Sequence, residues 1–232
     1  MNQKRKKSKL REIWRRLRKN KLAVAALIVL VLLLLVALLG PLIAPYSYET
    51  QNAKNSYAKP NAEHLLGTDK LGRDIFSRLI FGARQSLKMG IFAVAFSAVV
   101  GCTVGAIAGY YGRWVDNLCM RLLDIYQAIP MFLLCVTLAA ILGPSLENAV
   151  LALGISGVPG YARLMRASVL TVREMEFIES AKAIDLGGPS IIMRHIIPNA
   201  IAPIIVEITM GIGAMILAGA SLSFIGLGAQ PP

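Results

Sequence analysis

Residues 22–44 read LAVAALIVLVLLLLVALLGPLIA, a run of 23 residues without a charged side chain. A helix needs about 20 residues to cross the ~30 Å hydrocarbon core of a bilayer, so this run predicts a transmembrane span. Three more uncharged apolar runs follow, at Met89–Gly112, Ile125–Leu146 and Ile208–Pro232. A fifth, Asn148–Ala162, is shorter and is broken by glycine and proline. Together these runs predict an all-α polytopic membrane protein.

The composition supports the same class. Hydrophobic residues make up 56% of the chain, charged residues 16%, and the mean hydropathy is +0.60. A soluble domain of this length would carry more charge and shorter apolar runs. The three cysteines lie in or beside apolar runs without paired spacing, so they are interpreted as small packing residues.

The net charge of +12 is unevenly distributed, because eleven of the 25 lysines and arginines lie in the tail of residues 1–21. Directly before an apolar run, such a tail is interpreted as a cytoplasmic anchor against anionic lipid, and not as a nucleic-acid-binding segment. The N-terminus is therefore predicted to be cytoplasmic. Residues 45–88 then form an extracytoplasmic loop. Residues 89–232 form the core transmembrane domain, in which residues 163–199 are a cytoplasmic segment.

The predicted outer loop contains the run HLLGTDKLGRDIFSRLIFGARQSL at residues 64–87. Its apolar residues from Ile75 to Ile80 recur at helical spacing, which predicts a short interfacial helix leading into the next span. Arg73, Asp74 and Arg78 are predicted to face away, with Asp74 and Arg78 forming an i,i+4 ion pair. The spacing of the acidic residues does not match a calcium-binding loop, so no metal site is predicted.

A glycine pattern marks the second apolar run. Gly101, Gly105 and Gly109 form two overlapping small-x-x-x-small steps, which place a glycine ridge on one helix face where another helix can approach closely. Packing within the bundle is favoured over a gate or a subunit contact.

Glu207 is the one carboxylate in the apolar stretch 204–228. Acidic residues are costly inside a membrane and mark pathways or polar pairs by default. Glu207 is therefore a predicted pathway residue, while snorkelling towards the interface or pairing with a polar group remains an equal alternative.

The cytoplasmic segment carries helix signals. Thr171 and Glu174 have capping-box spacing, which predicts a helix that begins at Val172 and continues through Asp185. Gly187 and Gly188, followed by proline, are predicted to end it.

A second short helix, Ser190–Ile197, is predicted to lead to Pro198 and the next span. In the first helix, Phe177, Ala181 and Ile184 share a predicted exposed apolar face. The two helices are thus interpreted as a helix-turn-helix knob parallel to the membrane.

The residues from Glu179 to Asp185 and from Arg194 to Asn199 resemble the cytoplasmic loop of the integral membrane subunits of bacterial ABC importers. The runs 64–87 and 220–232, with the region around Pro130, resemble more narrowly the C-type permease of the dipeptide, oligopeptide and nickel branch. Family members continue through one more span, so a truncated chain is expected.

Two positions depart from the family pattern. Ser180 replaces the usual alanine, and Asp185 stands where the family has its turn glycine. Two interpretations of the second departure remain open: Gly187 and Gly188 take over the turn, or the knob docks differently on its partner.

The resemblance implies the fold of an ABC importer type I transmembrane domain with a cytoplasmic coupling-helix loop, in the bacterial cytoplasmic membrane. The implied partners are a homologous permease subunit, two ATP-binding-cassette ATPases, an extracytoplasmic substrate-binding protein and membrane lipid. ATP and magnesium would be bound by the ATPases, leaving this chain without catalytic residues, a metal or a cofactor of its own. Peptides are the implied substrate, with nickel as the alternative.

The resemblance also implies roles for single residues. Glu179 would hydrogen-bond or pair at the ATPase contact, and Ser180 and Ala181 would permit close packing there. The turn would be shaped by Asp185, Gly187 and Gly188.

Two other classes of protein fit the sequence less well. A secondary transporter would need coupling carboxylates or paired repeats with broken helices, and Glu207 alone is a poor basis for one. An intramembrane enzyme would need a nucleophile and base or a metal set within the spans, and the apolar runs contain none. The ABC permease is favoured over both.

Overall fold

A computed structural model of the chain describes residues 14, 15 and 17–228. Most of the predicted basic tail, and the last four residues of the 220–232 run, lie outside the described residues. Within them the chain is helical, with a 3₁₀ turn at Ala53–Asn55 and no β-strand, which confirms the predicted all-α class. The helices are, in chain order, α1 (Lys21–Ile43), α2 (Ile75–Tyr111), α3 (Arg113–Gln127), α4 (Met131–Leu142), α5 (Leu146–Arg173), α6 (Glu176–Ala183) and α7 (Gly188–Phe224).

Three of these helices are long and apolar enough to cross a membrane: α1, α2 and α7. Helices α3 and α4 pass the same test as a pair, with their axes bent by 79° at the break between them. Helix α5, which includes the predicted run Asn148–Ala162, is 28 residues long but is not among the spanning helices by this test. The chain divides into two compact units, Met1–Gln85 and Ser86–Pro232.

In the first unit, α1 begins where the Asn20 side-chain oxygen accepts a hydrogen bond from the Ala23 amide at 3.2 Å. Asparagine is a favoured N-cap because it satisfies an amide that has no partner within the helix. Within α1, Ala37 and Gly40 alone are buried, and most of the leucine-rich remainder is exposed. Exposed apolar surface on this scale fits a helix whose solvent is lipid.

The loop between α1 and α2 is built around buried polar groups. Asp74 accepts a hydrogen bond from the Ser77 amide at 2.7 Å and contacts Nδ1 of His64 at 3.0 Å, so it caps the start of α2. Gly72 has a φ of +70°, and a Cβ there would lie 1.8 Å from the carbonyl oxygen of Asn52. The backbone therefore passes too close at this turn for any side chain.

Two predictions for this loop are wrong. Arg73 and Asp74 are buried rather than facing away, and Arg78 pairs with Asp69 at 3.3 Å rather than with Asp74. Burial raises the pKa of Asp74, but hydrogen bonds from Ser77 and His64 and the charge of His64 outweigh it, so the pKa lies below its usual value. The buried carboxylate is thus held in its charged form by its neighbours.

The predicted interfacial helix is also wrong as a separate element. Ile75–Tyr111 is one continuous helix of 37 residues, and the interfacial residues form its first turns. Once Asp74 has capped the helix, no residue before Gly112 interrupts it, because the sequence between them contains no proline.

The predicted span Ile125–Leu146 is divided between two helices. Helix α3 ends at Gln127, and α4 begins after Pro130, which is its N-cap residue. Proline has no amide hydrogen and disfavours helical backbone in the residue before it, so the bend falls at this position.

Helix α5 is at the centre of the second unit, where it packs against α4 and α7. Its residues Leu153, Ala162 and Val169 are almost completely buried. Pro159 lies within α5 without ending it. The predicted short, broken run is therefore part of a longer helix, which also takes up the first residues of the predicted cytoplasmic segment.

The predicted short helix Ser190–Ile197 is wrong as a separate element, because the chain is helical from Gly188 to Phe224. Residues Ile192–Ile196 form a π-turn in which the Ile197 amide donates to the Ile192 carbonyl. Pro198 cannot donate to the carbonyl four residues before it, and its ring crowds that carbonyl. A π-turn adds one residue to the helical turn and makes room for the proline.

Candidate functional site

The first helix of the predicted cytoplasmic segment begins later than expected, at Glu176 and not at Val172. Helix α5 continues through Thr171, whose hydroxyl donates to the Ala167 carbonyl at 3.3 Å, and it ends at Arg173. The predicted capping box at Thr171 and Glu174 is therefore wrong. Val172 is buried in the core, and this packing extends α5 past the local start signal.

Helix α6 ends in a Schellman motif at Asp185. The amide of Leu186 donates to the Ala181 carbonyl at 3.2 Å, and the amide of Asp185 donates to the Lys182 carbonyl at 2.9 Å. Asp185 has a φ of +57°, in the left-handed region that usually takes glycine. Aspartate tolerates this region better than most residues, so it takes the turn itself.

The glycines that follow do not form this turn, which corrects the prediction that they end the helix. Gly187 has extended backbone and precedes α7 as its N-cap residue. Gly188 is the first residue of α7, and a Cβ there would lie 3.0 Å from atoms of both Tyr110 and Tyr111. Gly188 thus allows α7 to start close against the end of α2.

One side of α6 is anchored in the second unit. Ile178 and Ala181 are buried in the same apolar core as Ile191 and Ile196 of α7. Ala181 was predicted to share an exposed face with Phe177 and Ile184, and this is wrong, because its methyl group points into the core. Ile178 and Ala181 lie one helical turn apart on the same face, and their burial holds α6 against the rest of the second unit.

The opposite side of α6 is exposed, and we call it the α6 outer face. It consists of Glu176, Phe177, Glu179, Ser180, Ala183 and Ile184, and Lys182 is exposed at its edge. The Ser180 hydroxyl donates back to the Glu176 carbonyl at 3.0 Å, which leaves a smooth surface at that point. Within the described residues the Glu179 carboxylate has no ion pair and accepts no hydrogen bond. Acidic, small and apolar side chains thus stand side by side and uncovered.

Arginines of α5 join this helix to α2 and α3. Arg173 donates to the carbonyl of Gly109 at 2.9 Å, and so binds the C-terminal end of α2. Arg166 forms a bidentate pair with Asp116 of α3, its Nη2 lying 2.5 Å from Oδ2. Neither of these two contacts was predicted from the sequence. Their partners lie 50 to 64 residues away in the chain, and no local pattern reveals such pairs.

A third contact extends this set, since Arg163 donates to Asp124 of α3 at 2.7 Å. Asp116 and Asp124 are eight residues apart on amphipathic α3, a spacing that places them on one helix face. That spacing is the one sequence signal that could have found the pairing face.

The predicted glycine ridge faces α5 of the same chain. A Cβ would lie 2.6 Å from the Val158 carbonyl oxygen at Gly101 and 2.2 Å from the Ala162 carbonyl oxygen at Gly105. At Gly109 it would lie 2.9 Å from Cβ of Val169. Only glycine permits α2 and α5 to approach this closely.

Glu207 lies on α7 and borders a cavity of about 390 Å³ in the second unit. The walls come from the end of α3, from α4, from the middle of α5 and from α7. On the α5 wall, the Tyr161 hydroxyl donates to the backbone carbonyl of Glu207 at 3.4 Å. The part of the chain that the structure describes holds no cluster of three or more metal-ligating side chains.

The chain is similar in sequence to membrane subunits of transport systems. A family model described as "Binding-protein-dependent transport system inner membrane component" matches residues 101–232. A second, described as "N-terminal TM domain of oligopeptide transport permease C", matches residues 8–60. The dipeptide transport system permease protein DppC of Alkalihalophilus pseudofirmus is 50% identical over 222 residues, which are 96% of this chain and 73% of the relative.

The glutathione transport system permease protein GsiD of Escherichia coli O157:H7 is 43% identical over 95% of this chain and 73% of its own length. Among solved structures, the MetNI methionine ABC transporter in an inward-facing conformation matches with a TM-score of 0.58. That match covers 65% of this chain and 76% of the transporter chain at 20% identity, which supports a shared fold.

Proposed function

The chain belongs to the family of inner membrane components of binding-protein-dependent transport systems, and from this premise we propose that it is a permease subunit through which an ABC importer moves peptides into the cytoplasm. It is a multi-pass inner-membrane protein. The relatives named above transport dipeptides or glutathione by their names, and one family model is named for oligopeptide transport. Peptides are the class common to these names, so peptide rather than nickel is the proposed substrate.

The α6 outer face is the observation that carries this proposal. A helix anchored on one side by Ile178 and Ala181, with acidic, small and apolar groups uncovered on the other, is built to seat in a groove of a soluble partner. That partner is one of two ATP-binding-cassette ATPases. Glu179 hydrogen-bonds or pairs at the contact, and Ser180 permits close approach. Asp185 fixes the direction in which the chain leaves the helix.

The contacts of α6 suggest how movement reaches the membrane. When ATP binding closes the two ATPases, the α6 outer face moves with them. Because Ile178 and Ala181 pack with the start of α7, and Arg173 ties the end of α5 to α2, the displacement of α6 is passed to three long helices. The pathway lined by this chain and a homologous permease then opens to the other side.

Chemistry is divided between the subunits. The ATPases bind ATP and magnesium and hydrolyse ATP, an extracytoplasmic binding protein delivers the peptide, and this chain contributes no catalytic residue. The N-terminus and α6 face the cytoplasm, and the loop around Asp69 and Asp74 faces outwards. Lipid surrounds the exposed leucines of α1.

A charge reversal on α6 tests the proposal. The transporter is assembled in proteoliposomes with its partner permease, the ATPases and the loaded binding protein, and uptake of a labelled dipeptide is measured together with ATP hydrolysis. In Glu179→Lys, uptake is expected to fall at least about tenfold, because a charge-assisted contact is lost at a packed interface. Stimulation of hydrolysis by the loaded binding protein is expected to fall with it.

The matched control is Glu147→Lys, the same charge change in the first turn of α5, at the end of that helix away from α6. This variant is expected to import the dipeptide at close to the wild-type rate. Wild-type uptake by Glu179→Lys would contradict the proposed role of α6. Failure of the unaltered transporter to import any dipeptide would contradict the proposed substrate.

A further inference from the structure

The cavity beside Glu207 is large enough for a small molecule and lies within the predicted spans. Its volume of about 390 Å³ falls in the range of ligand-binding cavities in proteins. Glu207 is eight residues beyond Asn199, or about 12 Å along α7, so it lies in the first third of the apolar part of that helix. An opening among four helices at this depth is where a transported molecule would pass.

Two of the polar side chains at the cavity are hydrogen-bonded within the chain. The Ser156 hydroxyl donates to the Ala152 carbonyl at 2.7 Å, and the Tyr161 hydroxyl donates to the backbone of Glu207. The Glu207 carboxylate differs, since Glu207 is exposed and its side chain has no ion pair and no hydrogen bond within the described residues. The cavity therefore presents a carboxylate that has no partner within the described residues.

A second polar group at the cavity lacks a partner. The Tyr126 hydroxyl oxygen is buried in the wall and has no hydrogen-bond partner of acceptable geometry among the described residues. The side chain of Gln127 lines the same wall. A buried hydroxyl without a partner is rare, because it loses its hydrogen bonds to water without replacement.

Glycines leave the floor of the cavity open. Gly160 lines it, and a Cβ at that position would have no atom within 4 Å. Gly211 is different, since a Cβ there would lie 2.5 Å from the Tyr161 hydroxyl oxygen. A side chain at Gly211 would therefore push Tyr161 of α5 away from Glu207 of α7 and disturb the contact between these two walls of the cavity.

We infer that this cavity is a subsite for the primary ammonium group of a transported peptide, and that Glu207 is the residue that selects it. A carboxylate in a membrane-level cavity is costly without a cation, and every unmodified peptide supplies one at its N-terminus. The Tyr126 hydroxyl and the Gln127 amide are placed to hydrogen-bond the polar groups that follow the ammonium group. This inference rests on the proposed function, because it requires that peptides pass through the chain.

The test uses three variants in the assembled transporter with its binding protein. Glu207→Gln keeps the shape and removes the charge, while Glu207→Asp keeps the charge. Thr209→Val is the matched control, since Thr209 is exposed on the same helix, donates only to Ile205 among the described residues and does not line the cavity. Initial uptake is measured for one dipeptide with a free N-terminus and for its N-acetyl derivative, together with ATP hydrolysis.

For the free dipeptide, Glu207→Gln is expected to lower uptake about tenfold, the loss that corresponds to one charge-assisted hydrogen bond. Glu207→Asp is expected to lie between Glu207→Gln and the wild type, and Thr209→Val to equal the wild type. The ratio of uptake between the free and acetylated dipeptides is expected to shrink by a similar factor in Glu207→Gln. Discrimination by the binding protein is the same in both transporters and cancels in this comparison.

Wild-type uptake with an unchanged ratio in Glu207→Gln would overturn the inference. It would also be overturned if Glu207→Gln lost its partner permease on purification, because the carboxylate would then pair with a cation of that subunit. If the unaltered transporter imported neither dipeptide, the proposed function would fail, and this outcome is separate from a failure specific to Glu207.

Discussion

The loop between α1 and α2 and the α6 segment both connect long helices and are rich in charged residues, but charges in the loop form pairs, whereas those on α6 are unpaired in the part of the chain that the structure describes. In the loop, Asp69 accepts from Arg73 at 2.8 Å, and Asp74 is buried against His64. On α6, Glu179 is exposed without a partner among the described residues. Charges that satisfy one another within a loop maintain its shape, whereas charges left uncovered on an anchored helix are available to another protein.

The anchoring of α6 gives the largest expected effect. Ile178 is fully buried on the inner side of α6, and Ile184 is exposed on the α6 outer face. Ile178→Ala is expected to destabilise the protein by about 2–4 kcal/mol, because it removes buried methyl groups and leaves a cavity. Ile184→Ala is expected to change stability by less than about 0.5 kcal/mol and to lower only peptide uptake. Thermal unfolding in detergent measures stability, and uptake in proteoliposomes measures transport. Equal losses of stability in Ile178→Ala and Ile184→Ala would contradict the division of α6 into a buried and an exposed side.

A substitution in the loop between α1 and α2 is expected to have a smaller effect on stability. Asp74→Ala removes the cap of α2 and leaves His64 without its buried partner, at an expected cost of about 2–3 kcal/mol. The matched control is Glu63→Ala, an exposed acid in the same loop, which is expected to cost less than about 0.5 kcal/mol. Limited proteolysis of residues 45–74 and the unfolding temperature report both changes. Similar protease sensitivity in the two variants would show that the buried pair does not hold the loop.

The turn after α6 gives the smallest effect and sharpens the comparison. Asp185 occupies left-handed backbone with a φ of +57°. Asp185→Gly is expected to stabilise the protein by about 0.5–1 kcal/mol, because glycine adopts this conformation without strain. Asp185→Ala should destabilise it, since alanine has neither the freedom of glycine nor a polar side chain. The unfolding temperatures of the wild type and the two variants test this order. A higher unfolding temperature for Asp185→Ala than for the wild type would contradict the left-handed turn at Asp185.

The sequence was sufficient for features that depend on local hydropathy or on a motif. The predicted run Leu22–Ala44 and helix α1 differ by one residue at each end, because every position in the run favours the same environment. The membrane class and the permease family were predicted from such runs and motifs and are confirmed.

The sequence was insufficient where distant residues decide the local structure. The capping signal at Thr171 is overridden because Val172 is buried in the core of the second unit. The pairing of Arg166 with Asp116 spans 50 residues and follows from the packing of α3 on α5. The cavity beside Glu207 exists only when four helices have assembled, so its volume and its free hydroxyl have no signature in any one segment.

The π-turn at Ile192–Ile196 sets the rotational phase of everything that follows it on α7. Each residue of an α-helix advances the azimuth by about 100°, and a π-turn contributes one residue more than an α-turn. Without that residue, Glu207 would be turned about a quarter of a circle away from the wall formed by Tyr161. The π-turn at Ile192–Ile196 therefore determines which face of α7 lines the cavity.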